Sequence, residues 1–217
     1  MKSQQKGFTL VEIAIVLVII GLLLGGILKG QEMITQAKIK NVIADFSGVS
    51  AAYHGYQDRY RKIPGDDGDA NARWTLGIAA PASGAFNNGI VSGGYATTTA
   101  NEESRLFWLH LRRAGFVSGS DQEQPFNAVT GRLGVQTGDT AGAAIFGGFS
   151  GLIICSANLP DKIAIATDTQ MDDGVPATGT VRGMLQTSPN PALGAGTAAT
   201  ATFAETGTNV YVLCRTL

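Results

Sequence analysis

The sequence is poor in the residues that usually declare a chemistry. It has only two cysteines and two histidines. Two cysteines are too few for a disulfide-built scaffold, and no zinc-ligand pattern surrounds them or His54 and His110. No nucleophile elbow, phosphate loop or dinucleotide fingerprint occurs. With no catalytic constellation, an enzyme is not expected. The net charge is -1, which excludes nucleic acid as a bulk electrostatic partner. Two local basic groups, Arg112-Arg113 and Arg59/Arg61/Lys62, read as solvated helix faces. Proline is absent before Pro64, and no charge falls between Ile13 and Leu28. Glycine, by contrast, is plentiful at 29 residues, most of them beyond residue 64, so the body reads as loop-rich and strand-containing rather than a helical bundle.

What is present begins at the N-terminus. Phe8 to Leu28 spans 21 residues with one charge, Glu12. As a helix it covers about 32 Å, enough to cross a bilayer core. A secretory signal would have a shorter apolar run and a small-residue cleavage site after it. Lys2 and Lys6 precede the span, so the tip stays cytoplasmic and the body lies beyond the membrane. An oxidising compartment favours a Cys155–Cys214 disulfide closing close to 60 residues, worth about 4 kcal/mol of loop-closure entropy.

After Lys29 the pattern turns amphipathic. Ile39, Val42, Phe46, Val49, Tyr53, Tyr56 and Tyr60 alternate spacings of three and four, with Ile43 and Ala52 widening the stripe. Ile63-Pro64-Gly65 ends it. The pattern predicts one helix from about Thr9 to about Arg61, near 80 Å long. Its first half is apolar all round; the second has one apolar face to pack on its own body.

The stretch "KGFTLVEIAIVLVIIGLLLGGI" resembles the N-terminus of a type IV prepilin or pseudopilin: a short basic leader ending in Gly7, then Phe8, Thr9-Leu10-Val11-Glu12 and an unbroken apolar helix. The segments "KIPGDDGDANARW", "ESRLFWLHLRRAGFV" and "MDDGVPATGTVRG" resemble stretches of bacterial prepilin-like proteins less specifically. The resemblance implies cleavage by prepilin peptidase between Gly7 and Phe8, and N-methylation of Phe8. It also implies that Glu12 pairs with a freed Phe8 amine, within the chain or across to a neighbouring subunit, as a register pin for assembly. A lone charge at the membrane centre costs about 2.5–3.5 kcal/mol or more, so an opposite charge that meets it offsets a large cost. Many pilins carry a helix-kinking proline here; this chain has Gly21, Gly25, Gly26 and Gly30 instead, which implies local bending or melting on assembly. Gly21 and Gly25 also have close-packing spacing.

In the body, "NEESRLFWLHLRRAGFV" predicts a helix with Asn101 as N-cap and Gly115 at its C-terminal end. "AAIFGGFSGLIICSA" and "NVYVLCRTL" predict strands, and "LPDKIAIATDTQMDDG" reads equally as strand or helix. Residues 174–208, rich in Gly, Ala, Thr and Pro, predict a long surface excursion inside the disulfide loop. Asp67, Asp69 and Asn71 open like a calcium loop but lack the sixth-place glycine, and Ile78 stands in place of the closing glutamate. Asp172 and Asp173 form another acidic turn. Both read as solvated turns, so no cofactor is expected and calcium is a minor alternative.

The expected architecture is therefore α+β: a leader at 1–7, a transmembrane and assembly helix at 8–30, its amphipathic half at 31–63, and a pilin-like body at 64–217 with a small antiparallel sheet. The resemblance implies a structural subunit of a type IV pilus-like filament. The alternatives are a pseudopilin of a type II secretion system, or a minor tip pilin with an adhesive or DNA-binding role. Expected partners are other pilin subunits, prepilin peptidase, an inner-membrane assembly platform and lipid. Expected location is a single-pass inner-membrane precursor with a periplasmic body, then a pilus or periplasmic filament.

Overall fold

The structure is a computed structural model that describes residue 7 and residues 9–78, 80–140 and 143–217. Helix α1 runs from Leu10 to Tyr60. It stops where the sequence says it must: Arg61 takes a left-handed backbone at φ 57°, and Pro64 follows. The chain divides between Ala37 and Lys38 into two compact units. The second half of α1 thus belongs to the body, which begins before residue 64.

The first unit is helical from Leu10 onward, and its large apolar side chains from Leu10 to Leu28 are all exposed. The second unit holds the rest. Short helix α2 (Ala70–Trp74) and helix α3 (Glu103–Arg113) come first. Then follow strands β1 (Leu133–Thr137), β2 (Asp139–Thr140), β3 (Ala143–Ala144) and β4 (Leu152–Pro160), helix α4 (Asp161–Met171), and strands β5 (Val181–Leu185) and β6 (Val210–Thr216). Four strands form one antiparallel sheet in the order β1-β4-β6-β5; β2 and β3 form a separate ribbon.

Both faces of the sheet are covered, which explains the near-continuous apolar runs of β4 and β6. Side chains alternate across a strand. Ile154, Tyr211 and Leu213 point to the face shared with Ile39, Val42, Phe46 and Tyr56 of α1 and with Phe107, Trp108 and Leu111 of α3. Ile153, Cys155, Val212 and Cys214 point to the other, where Tyr95, Ile145, Phe146 and Phe149 cover them. The predicted stripe on α1 is therefore core.

Four expectations need correction. The N-cap of α3 is Glu102, not Asn101; Asn101 has φ 61° and donates its amide to Gln122 across the loop. The strand expected from Ala143 is broken at residues 146–148, where Phe146 (φ 53°) and Gly147 turn the chain back. Residues 174–208 are not only a surface excursion, because they contribute β5, which pairs with β6. Arg112 is not a solvated charge: its guanidinium donates to Ser118 O, Asp121 O and Glu123 O and pairs with Asp121, holding the loop after α3. The ambiguous stretch resolves as strand to Pro160 and helix from Asp161. Gly115 does close α3, with φ 83° and its amide on Arg112 O at 3.1 Å.

Candidate processing and assembly site

The N-terminal end of α1 begins with a reciprocal cap. Thr9 stands at the N-cap. Its amide donates to Glu12 Oε2 at 2.8 Å, and its hydroxyl donates to the same oxygen at 2.8 Å. The Glu12 amide in turn donates to Thr9 Oγ1 at 3.3 Å. This is the T-x-x-E capping box, which satisfies two of the amides left orphaned at a helix start. It supplies part of the answer to why a carboxylate sits at the edge of an apolar rod. The signal was in the sequence at Thr9 and Glu12, but the apolar run drew the reading to the membrane instead. Gly7 is exposed one step before the cap region; Phe8, the expected cleavage and methylation residue, lies outside the described residues.

From Ile13 to Leu28 the helix surface is apolar and exposed. By length and composition this helix can cross a membrane. A Cβ added at Gly21, Gly25, Gly26 or Gly30 meets nothing within 4 Å. The glycines are thus not explained by packing among the described residues, and α1 is helical through all of them.

In the body, the expected site residues fall into three groups. Cys155 and Cys214 are bonded to each other and sit directly opposite on β4 and β6. Asp67, Asp69 and Asn71 do not converge as ligands. Asp67 Oδ2 accepts from Tyr56 Oη at 2.6 Å and from Arg73 Nη1 at 2.9 Å, and its Oδ1 takes the Asp69 amide. Burial pushes its carboxyl up, but the bonds from Tyr56 and Arg73 and the Arg73 charge outweigh that and hold it below the usual range. Asp69 faces Lys62 at 3.8 Å, and Asn71 Oδ1 accepts the Ile78 amide. The "GDDGDANAR" segment is thus a buried latch on the end of α1.

His110 completes that latch. Its Nδ1 accepts the Gly65 amide at 3.0 Å, so the neutral ring is the one that fits. Burial lowers its pKa to about 4; Asp67 opposes the shift and Arg73 adds to it. His54 is exposed on α1 beside Tyr53.

The third group is Asp172 and Asp173, which the structure joins to Asp168. Their ligand oxygens lie within 4.8 Å of one another. Burial, then repulsion from Asp173 and Asp172, pushes Asp168 up to about 7. Asp168 was missed in the sequence because it sits in an apolar-looking helix; its spacing of four from Asp172 was the available signal.

Residues 2–28 match the prokaryotic N-terminal methylation motif. No curated protein matches the chain. Among solved structures, the major type IV pilin PilA1 of Clostridium difficile aligns over 83% of this chain and 96% of its own, at 11% identity and a TM-score of 0.35. An overlap that loose carries no argument, and the assignment stands on the N-terminal segment. A basic start, a glycine, a capped glutamate and an uncovered apolar helix coincide there, in the segment that matches the prokaryotic N-terminal methylation motif.

Proposed function

We propose that the protein is a structural subunit of a type IV pilus-like filament, made as a membrane-inserted precursor. Prepilin peptidase cuts between Gly7 and Phe8 and methylates the Phe8 amine. The subunits then assemble through residues 8–30. One observation carries this reading: the methylation motif runs directly into a helix whose apolar side chains are exposed on every face. Such a surface has no cover among the described residues and needs lipid first and neighbouring helices afterwards.

Glu12 serves twice in this scheme. In the single chain its carboxylate caps the helix through Thr9. Cleavage adds a positive amine one turn upstream, which draws the carboxylate and neutralises it as helices pack. Assembly with other pilin subunits on an inner-membrane platform follows from the same chemistry, and the disulfide-closed body faces outward.

Mass spectrometry of the mature protein tests the scheme. The expected N-terminus is methylated Phe8 with the first seven residues absent. A product that still begins at Met1, or an unmethylated Phe8, removes it. Electron microscopy of surface filaments then separates a pilus subunit from a secretion pseudopilin, whose deletion instead abolishes protein export.

A further inference from the structure

We propose that Asp168, Asp172 and Asp173 form a calcium site that ties the end of α4 to the start of β5. The argument begins with Asp168. Its side chain is fully buried (0% exposed), and neither carboxylate oxygen accepts a hydrogen bond of normal geometry; the Gly174 amide approaches it only weakly. A buried charge without a partner is among the most costly features a fold can carry. The other two carboxylates make it worse, since ligand oxygens of all three approach within 4.8 Å. No Lys, Arg or His forms an ion pair with any of them among the described residues. Arg182 donates to Gly179 O and Phe146 O, and its charge reaches the exposed Asp173 without forming an ion pair.

The two outer carboxylates are held facing this point. Asp172 Oδ2 accepts the amides of Thr180 and Val181, which leaves Oδ1 free to turn inward. Asp173 is oriented by the Val175 amide at 2.9 Å and by the Thr178 hydroxyl. Gly179 is a place where only glycine fits: a Cβ there would lie 1.8 Å from Asp172 Oδ2. Asp168 thus supplies the buried inner carboxylate, while Asp172 and Asp173 stand at the partly exposed mouth. An all-oxygen, all-anionic set open to water on one side suits calcium, which takes six to eight oxygens in flexible geometry and fills the remainder with water. The inference rests on the body alone and is independent of filament assembly.

Thermal unfolding of the full chain in detergent micelles, with calcium or with chelator, tests it. Calcium at about a hundredfold excess over its dissociation constant should raise the midpoint by about 5–10 °C. Asp168→Asn should abolish that rise, yet unfold no earlier than the unsubstituted chain in chelator, because it removes the unpaired charge. Should Asp168→Asn fail to fold, the exposed Asp173→Asn provides the same readout and should weaken calcium binding about tenfold or more. An unchanged midpoint in millimolar calcium overturns the proposal. So does an equal calcium response in both variants, which places the ion elsewhere. A protein that ignores calcium but gains stability on acidification, with Asp168→Asn flat, overturns it in favour of a proton on Asp168.

Discussion

Helix α1 offers two halves of one element with opposite solutions to the same problem. Residues 13–28 and residues 39–60 both carry many large apolar side chains. In the first half they occur without period and all remain exposed. In the second they recur at spacings of three and four, and Ile39, Val42, Phe46, Val49 and Tyr56 are buried against the sheet and α3. Apolar residues with a helical period announce a partner on one side, which the chain itself provides. Apolar residues without a period need cover all round, which a body on one side of a helix cannot give. The difference is therefore one of what surrounds each half, read directly from periodicity.

The comparison breaks most sharply at assembly. Glu12→Leu should leave the body folded and the precursor inserted and cleaved, but nearly abolish filament yield in sedimentation and electron microscopy. Normal yield would remove the register role. Next in size is the buried half: Phe46→Ala should cost the body about 3–5 kcal/mol in denaturant unfolding, whereas Leu17→Ala should leave the same transition within about 0.5 kcal/mol of the starting protein. Equal effects would erase the distinction.

A pH titration probes the latch at the far end of the buried half. His110 has an ordinary pKa of 6.5 that falls to about 4 in the fold. The unfolded chain therefore binds its proton first as pH drops. Stability from this group is intact above 6.5 and declines between 6.5 and 4, by about 3 kcal/mol in all. The expected readout is a lower unfolding midpoint at pH 5 than at pH 7, largely removed in His110→Gln. The smallest effect lies at the cap. Thr9→Ala should fray the first turn by about 1 kcal/mol, visible as faster amide exchange at Leu10 to Glu12 in micelles, with the body unchanged.

Much of this molecule is legible before folding because the relevant physics is local. The α1 stripe, its stop at Pro64 and the Gly115 closure of α3 depend on near neighbours and backbone rules. The strand at Val210–Thr216 follows from β-branched and aromatic content. What was misread depends on distant partners. Arg112 looks solvated until residues 118–123 fold back onto it. Asp67 looks like part of a solvated turn until Tyr56 and Arg73 claim it. Strand β5, in a segment of weak strand character, exists because β6 lies beside it.

By itself, then, the sequence determined the N-terminal motif, the unbroken apolar helix and its change of character after Lys29, since these need only composition, order and a 3.6-residue period. Tertiary structure alone decided where the single charges go. It set Asp67 and His110 into the latch and buried Asp168 beside Asp172 and Asp173. The reason is that a polar side chain acquires its role from the partners that desolvation forces on it, and those partners come from elements far apart in the chain.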